Sequence, residues 1–186
     1  MVETNQTDEE LAKASLRDKR YFDILVQRYA NRILRYIGRL IGNYQEAEDV
    51  TQEVFLKAFV NLADFNPKLK FSSWLYRIAH NESVNFIRQH YRHQKISLDK
   101  YNQELTATEK SVLEKIIESE NIQLVRWGLG QIRPNEREII ELICFEEKSY
   151  LETADILKRP VNSIGPILAR AKQSLKKIIE EKHGGY

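Results

Sequence analysis

The chain has 186 residues, 30% of them charged and 42% hydrophobic, which suits one or two small globular domains with their own cores. Its apolar runs are too short to cross a membrane, and its polar, acidic start lacks the features of a secretory signal. We therefore expect a cytoplasmic protein without membrane insertion. A single cysteine, Cys144, excludes an internal disulfide, and its apolar helical surroundings predict a buried side chain.

Glycine and proline are scarce, at seven and four residues, and helix-favouring side chains are abundant, so the sequence predicts an all-α fold. In the first half, Asp8 is the expected cap of one helix and Gly42 the terminator of another. Pro67 marks a loop, after which Ser72 or Ser73 can cap a further helix. The apolar spacing predicts helices over about 9–18, 21–41, 44–62 and 73–92.

In the second half, the apolar pattern fades after His93 and returns weakly before Gly130. Pro134 stands at the favoured first position of a strong helix, and Ser149 can cap the short helix after it. Ala154 is small enough for close helix crossing in a helix-turn-helix, although a plain helical hairpin fits the same pattern. The C-terminal helices are expected over about 134–148, 150–158 and 162–182. We thus predict two small helical domains, 1–94 and 121–186, joined by a flexible linker over 95–120.

Charge is unevenly distributed along this nearly neutral chain, whose net charge is +2. Residues 43–66 carry five acidic residues and one basic residue, and residues 67–98 carry six basic residues and one acidic residue. Residues 99–125 are again acidic, with six carboxylates and three bases. The central basic block indicates binding to a polyanion or an acidic surface, with an ordinary solvated helix face as the alternative.

The segment FSSWLYRIAHNESVNFIRQHYR, residues 71–92, combines side chains that suit opened nucleic acid. Amide and guanidinium donors for phosphates and base edges recur on one helix face, at Arg77, Asn81, Asn85, Arg88 and Arg92. Aromatic side chains, on which unpaired bases can stack, occur at Phe71, Trp74, Tyr76, Phe86 and Tyr91. Core packing is the alternative for each aromatic side chain, and it is favoured for Tyr76 and Phe86.

The strings AEDVTQEVFLKAF, residues 47–59, and FSSWLYRIAHNESVNFIR, residues 71–88, resemble the second conserved region of ECF (extracytoplasmic function) sigma factors, the smallest members of the sigma-70 family. The resemblance extends to the C-terminal helix-turn-helix. It implies a subunit that binds core RNA polymerase, directs it to promoters and nucleates their opening, and not an enzyme. The family's third helix docks on the clamp helices of the largest polymerase subunit, a role that falls here to Asp49, Gln52 and Glu53.

The resemblance assigns recognition of the −10 promoter element to the loop over 65–71 and to the helix that follows. In the family, these elements capture a base flipped out of the non-template strand, and a matching pocket offsets a cost of about a few kcal/mol. Opening would then need neither ATP nor a catalytic residue. The positions carried over are Asn66, Lys68, Lys70, Phe71, Trp74, Arg77, Asn81, Asn85 and Arg88.

The helix-turn-helix resembles the family's fourth region, which reads the −35 element and meets the flap of the second-largest polymerase subunit. This chain departs from common relatives, because Gly165 and Pro166 replace the usual basic or hydroxyl side chains. If Ser163 is the helix cap, Pro166 costs no hydrogen bond, and if Asn162 is the cap, one is lost. The side chains left for DNA are Ser163, Pro166, Arg170, Gln173, Lys176 and Lys177. Most suit phosphates, so we expect contact mainly through DNA backbone and shape.

Two other interpretations compete with a sigma factor. A helix-turn-helix regulator that acts without polymerase docking gives the acidic third helix no role, and a protein–protein adaptor would tolerate alanine at Trp74 and Asn81. No cofactor is expected, since His90 and His93 lack partner ligands for a metal. Family members are often held inactive by an anti-sigma factor, although no residue here identifies one. The acidic linker fits either a nucleic-acid mimic near the RNA channel or a solvated tether.

Overall fold

The structure, a computed structural model, describes residues 6–93 and 123–183, without the side chains of residues 91–93 and 183. Within these ranges the chain forms helices and no strand, which confirms the all-α prediction. The linker predicted over 95–120 lies outside the described residues. In the described part of the chain, no helix is long and apolar enough to span a membrane.

The N-terminal unit is a bundle of four helices, in which α3 packs on α2 and α4 and leaves its outer face open to solvent. These helices are α1 (Asp8–Ser15), α2 (Arg20–Ile41), α3 (Tyr44–Val60) and α4 (Phe71–His93), with a 3₁₀ turn (Leu62–Asp64) after α3. Its fully buried side chains include Leu11, Leu25, Ile33, Ile37, Val54 and Leu75. The helical apolar spacing seen in the sequence thus corresponds to one shared core.

The N-terminus of α1 differs from the prediction, because Thr7 and not Asp8 is the cap. The Thr7 hydroxyl accepts the N–H of Glu10, and the Glu10 carboxylate accepts the N–H of Thr7. Asp8 instead accepts hydrogen bonds from Arg28 and from the Tyr29 hydroxyl, which hold α1 against α2. The longer-range partners of Asp8 were not visible in its local sequence.

The other boundaries of the N-terminal unit are closer to expectation. Gly42 has φ 79° and terminates α2 as predicted, since glycine adopts this left-handed conformation without steric cost. Helix α4 begins at Phe71, so neither Ser72 nor Ser73 caps it. The N–H of Phe71 donates to the carboxylate of Glu9 at 2.9 Å, so a side chain of α1 satisfies this helix end.

The described residues of the C-terminal unit also form four helices. They are α5 (residues 123–131), α6 (Pro134–Ile140), α7 (Tyr150–Leu157) and α8 (Val161–His183). Pro134 opens α6, and Ser149 caps α7 through a reciprocal pair of hydrogen bonds with Glu152, as the sequence predicted. Helix α7 packs on α4, which brings the two units into direct contact.

Helix α6 does not continue to residue 148 as predicted. It passes into a π-helical turn, Glu141–Phe145, in which the N–H of Glu146 donates to the carbonyl of Glu141 at 3.0 Å. This wider turn changes the side-chain register, and Glu147 then adopts φ 54°. The predicted burial of Cys144 is wrong, because the turn exposes its side chain.

Candidate nucleic-acid interface

The outer face of α3 carries an acidic stripe that ends in exposed apolar side chains. Asp49, Gln52 and Glu53 are all exposed and lie within one helical turn. Leu56 and Val60 continue the same face, at 59% and 70% exposure. We call these five residues the docking face. Large apolar side chains with this exposure beside carboxylates are typical of an interaction surface.

An ion pair fixes the position of α3 relative to α4. The ammonium of Lys57 lies 2.6 Å from the Glu82 carboxylate on α4 and 3.4 Å from Glu53 on α3. The hydrogen bond with Glu82 raises the pKa of Lys57 above its ordinary value. The pair is partly exposed, so its main contribution is orientation rather than stability.

Three aromatic rings stand where the loop over 65–71 meets α4. The ring of Phe71 lies 5.5 Å from that of Phe65 and 5.6 Å from that of Trp74, centroid to centroid. Phe71 is completely buried, so the expectation that it offers a stacking surface to DNA is wrong. Its ring instead belongs to the core, where it supports the half-buried Trp74.

The polar residues predicted on this loop are accessible. Asn66, Lys68 and Lys70 are all exposed, as is the apolar side chain of Leu69 between the two lysines. The Asn66 carboxamide oxygen accepts the N–H of Lys68 at 3.0 Å, which closes a local turn. The loop therefore presents two exposed lysine side chains just before α4.

Helix α4 carries the predicted donors on one accessible side. Asn81, Asn85 and Arg88 are exposed, and Arg77 is half-buried. Together with Lys68, Lys70 and Trp74, these four residues form what we call the strand face. Tyr76 and Phe86 behave as the core alternative predicted, since Tyr76 is fully buried and Phe86 is half-buried and stacks on His90. The side chains of Tyr91 and Arg92 lie outside the described residues.

Helix α8 begins at Val161, earlier than expected, so neither Asn162 nor Ser163 is its cap. Pro166 lies inside the helix, and its missing N–H leaves the carbonyl of Asn162 without the usual helical partner. The half-buried Ser163 donates its hydroxyl to the carbonyl of Pro160 at 2.7 Å. This local bond occupies the only hydroxyl donor among the predicted −35 residues.

The accessible side of α8 is a basic stripe that runs beyond the helix-turn-helix itself. Pro166, Arg170, Gln173 and Lys177 are exposed at helical spacing, whereas Lys176 is turned roughly 100° away from Lys177 around the axis. An open cleft adjoins the stripe, and Arg133, Glu136, Arg170, Gln173, Ser174 and Lys177 line it. Sequence reasoning missed Arg133, which precedes α6 and adds a guanidinium next to α8.

Comparisons with known proteins identify the family. The Sigma-70 region 2 family model matches residues 25–93, which contain α3 and α4. The RNA polymerase sigma-H factor of Pseudomonas aeruginosa is 31% identical, over 95% of this chain and 96% of the relative. The ECF RNA polymerase sigma factor SigW of Bacillus subtilis is 29% identical, over 88% of this chain and 91% of SigW. The chain is an ECF sigma factor of the sigma-70 family.

A solved structure supports the fold of this sigma factor. The sigma factor RpoE of Bartonella quintana, in complex with the anti-sigma factor NepR, matches with a TM-score of 0.68 at 21% identity, over 86% of this chain and 96% of RpoE. Members of the family are transcription initiation factors and not enzymes. In the described ranges, this sigma factor has no group of three His, Cys, Asp or Glu side chains that could hold a metal ion.

The sigma factor also has an aromatic side chain that the sequence analysis did not select. Tyr150, the first residue of α7, is 46% exposed, and its ring covers Gly165 on α8. A Cβ atom at position 165 would lie 3.3 Å from Cε2 of Tyr150, tighter than an ordinary contact. The absence of a side chain at Gly165 thus makes room for a phenol ring on the surface of the helix-turn-helix.

Two cations of the strand face are paired with the C-terminal unit of the sigma factor. Lys70 Nζ lies 2.9 Å from Oε1 of Glu152, and Arg77 Nη1 lies 3.1 Å from Oδ1 of Asp155. The other oxygen of Glu152, Oε2, accepts the N–H of Ser149 and caps α7. In this arrangement α7 covers part of the strand face.

Proposed function

We propose that this chain binds core RNA polymerase, directs it to specific promoters and nucleates promoter opening in the cytoplasm. The observation that carries the proposal is the packing of α3 against α4 in one helical unit. The docking face on α3 and the strand face on α4 are separate surfaces, and the Lys57–Glu82 pair joins their helices. One unit can therefore hold polymerase and single-stranded DNA at the same time.

Docking on polymerase is assigned to α3. Asp49 and Glu53 offer two exposed carboxylates to basic residues of the clamp helices, which steers association and sets orientation. Leu56 and Val60 supply apolar area at the end of the same face, and burying it gives affinity that charge alone does not. We therefore add these two residues to the predicted polymerase contacts.

Capture of the −10 strand is assigned to the strand face. Trp74 offers a partly exposed ring for stacking, worth roughly 1–3 kcal/mol per base. Asn81 and Asn85 offer amide groups to base edges, while Arg88 and the loop lysines suit phosphates. Binding of an unpaired base in this way lowers the free energy of the opened state, so strand separation needs no catalytic group.

Recognition of the −35 duplex is assigned to α8 and the start of α7. Arg170, Lys177 and Arg133 suit phosphates, and Gln173 is the one amide of the stripe that can reach a base edge. Tyr150 fills the surface that Gly165 leaves open, so its ring replaces the missing side chain and can contact a thymine methyl group or the backbone. The flap of the second-largest subunit is the proposed polymerase partner of this unit.

In vitro transcription with purified core polymerase tests the proposal. We expect the chain to co-purify with core polymerase and to produce transcripts with defined start sites from a genomic library. Thymines near −10 in those promoters should become reactive to permanganate. A duplex-binding regulator would bind DNA but would neither co-purify nor direct transcripts, and that outcome would reject the sigma-factor function for this chain.

An anti-sigma factor is a further proposed partner. The relative RpoE was solved with the anti-sigma factor NepR, which supports a partner of this class here. The test is to purify the chain from its source organism without core polymerase and to add the co-purifying proteins back to the transcription reaction. A partner of this class must reduce transcript yield, and proteins without that effect would argue against it.

A further inference from the structure

The accessible side of α8 has a row of uncharged side chains along its centre. Its members recur at spacings of three and four residues and are all exposed: Asn162, Pro166, Ala169 and Gln173. At about 100° per residue, these four positions fall within roughly 60° of one another around the helix axis. The row, which we call the reading row, therefore presents an amide at each end and apolar carbon in the middle.

Cations flank the reading row on both sides. Arg170 and Lys177 lie on one side of it, and Lys172 and Lys176 lie on the other, all with exposed side chains. The major groove of B-form DNA is about 12 Å wide and admits an α-helix between its two phosphate backbones. An uncharged row between two cationic edges thus matches a helix in that groove, with base edges facing the row and phosphates beside it.

The middle of the reading row suits thymine. Pro166 offers ring carbons and Ala169 a methyl group, and neither side chain can form a hydrogen bond. In the major groove, thymine presents a 5-methyl group that side chains such as alanine contact. The apolar surface continues on the Gly165 side of the row, where the Tyr150 ring and the 45% exposed Val161 lie.

The ends of the reading row suit adenine. Asn162 and Gln173 carry carboxamides, and such a group can donate to N7 of an adenine while it accepts from the N6 amino group. Guanine is most often contacted by an arginine or lysine that donates to both O6 and N7, and the row contains neither residue type. The two amides are roughly 17 Å apart along the helix axis, which corresponds to about five base-pair steps of 3.4 Å.

Phosphate binding alone does not account for this pattern. A surface that binds DNA only through its backbone gains affinity from each added cation, because every neutralised phosphate releases counterions. The centre of the accessible side of α8 instead carries four uncharged side chains, and the cations stand at its edges. This division indicates contact with base edges along the row and with phosphates on either side.

We propose that α8 reads an upstream element made of A·T pairs, with thymine methyl groups against the middle of the reading row and adenine edges against its two amides. The inference rests on the proposed function, because it takes α8 as the helix that binds the −35 duplex. It goes beyond that function by naming the base pairs. It also adds Asn162 and Ala169 to the residues that determine promoter specificity.

Removal of thymine methyl groups from the DNA tests the reading row without changing the protein. The complex of the full chain with core polymerase first selects duplexes from a promoter library whose upstream element is randomised. We expect a selected block dominated by A·T pairs. Deoxyuridine pairs as thymine does but lacks the 5-methyl group, so each replacement within the block should weaken promoter binding about fourfold. The same number of replacements in the spacer is the matched control and should change affinity less than twofold.

A substitution at one end of the row tests the amides. Gln173→Ala should abolish the preference for adenine over guanine at a single base pair, a preference of about tenfold in wild type, and leave the other positions unchanged. Gln27→Ala, which removes an exposed amide from α2, is the matched control and should alter no preference. Lys172→Ala should instead weaken binding to all sequences to the same extent, as expected for a phosphate contact.

The outcomes separate this inference from the function on which it rests. A selected block rich in G·C pairs overturns the inference, as does a deoxyuridine effect no larger in the block than in the spacer. In either case, promoter-specific transcripts would show that the proposed function still holds. If the complex gives no promoter-specific transcripts, the proposed function fails and the inference fails with it. A folding defect in Gln173→Ala cannot obscure the result, because the deoxyuridine measurement uses the unchanged chain.

Discussion

The Lys57 ammonium lies 2.6 Å from the Glu82 carboxylate and so holds the docking helix α3 at a fixed distance from the strand helix α4. The two helices also share an apolar core, which transmits position more firmly than the ion pair does. A base captured on α4 would therefore sit at a set place relative to the polymerase clamp. Because the two faces lie on different helices, substitutions on one face should leave the other intact.

Substitutions on the docking face should weaken polymerase binding and leave DNA binding unchanged. We expect Asp49→Asn/Glu53→Gln to weaken binding to core polymerase by about five- to thirtyfold, since two exposed charge pairs contribute roughly 0.5–1 kcal/mol each. The affinity of this double variant for single-stranded DNA should change less than twofold. Fluorescence anisotropy with labelled chain measures the first quantity, and Asp23→Asn on the exposed side of α2 is the control. Unchanged polymerase affinity would remove α3 from the proposed contact.

The strand face should affect opening after polymerase has bound. We expect Trp74→Ala/Asn81→Ala to reduce permanganate reactivity near −10 at least tenfold, because each stacked base contributes roughly 1–3 kcal/mol. Co-purification with core polymerase should persist. Asn31→Ala, which removes an exposed amide from α2, provides the comparison. Full opening by the double variant would favour the adaptor interpretation.

Phe71 should act through the core and not through DNA. Its ring is fully buried between Phe65 and Trp74, so Phe71→Ala should destabilise the N-terminal unit by about 3–5 kcal/mol. Phe71→Leu keeps most of the buried volume and should retain promoter opening within a few-fold. Urea unfolding and permanganate footprinting measure these effects. If the leucine variant folds normally but cannot open promoters, Phe71 has a direct role that its burial does not explain.

Arg170 and Tyr150 should differ in the salt dependence of −35 duplex binding. Arg170→Ala removes a phosphate contact. The slope of log affinity against log salt, which is negative, should therefore become less steep by about one. Tyr150→Ala should weaken binding about fivefold, or ~1 kcal/mol, with the slope unchanged, because its ring is neutral. Titrations of the same duplex at several salt concentrations check both expectations. An equal change of slope in the two variants would contradict the proposed division of roles.

Glu138 should make stability depend on pH. Burial beside His80 raises the pKa of Glu138 from its ordinary value of 4.5 to about 7. The positive charge of Arg159 offsets only part of this cost of desolvation. The folded chain thus binds this proton more tightly than the unfolded chain does. The free energy of unfolding therefore falls as pH rises from about 4.5 to about 7 and stays constant above that. Relative to Glu138→Gln, wild type should lose up to about 3 kcal/mol across that range.

Urea midpoints of wild type and Glu138→Gln between pH 5 and 8.5 measure this difference. Burial lowers the pKa of His80, which opposes stability at low pH, but His80 is present in both proteins and largely cancels. Glu180→Gln, an exposed carboxyl on α8, should follow wild type throughout. Parallel pH profiles for wild type and Glu138→Gln would show that Glu138 does not titrate near neutrality.

Local chemistry made several elements predictable from sequence. Pro134 at the start of α6, Ser149 at the cap of α7 and Gly42 at the end of α2 all act through hydrogen bonds or dihedral angles within a few residues. The same holds for the exposed donors of α4, because a helix of known phase determines which side chains share a face. Most exposed residues of the docking face and of the strand face could therefore be predicted from the sequence.

Features that depend on distant partners could not be predicted. The cap of α4 is Glu9, 62 positions before Phe71, and the pairing of Arg39 with Glu141 joins residues 102 positions apart. Hydrophobic periodicity carries no information about which carboxylate meets which guanidinium. The π-helical turn that brings Glu146 to Tyr76 likewise has no reliable local signature, and it overturned the expected burial of Cys144.

Glu152 divides two tasks between its two oxygen atoms. Oε2 binds the N–H of Ser149 at the start of α7, while Oε1 faces Lys70 across the gap between the units. Loss of the ion pair with Lys70 would therefore leave the capping bond in place, so the first turn of α7 would stay intact. A single carboxylate thus secures the start of a helix and a contact between the two units through different oxygen atoms.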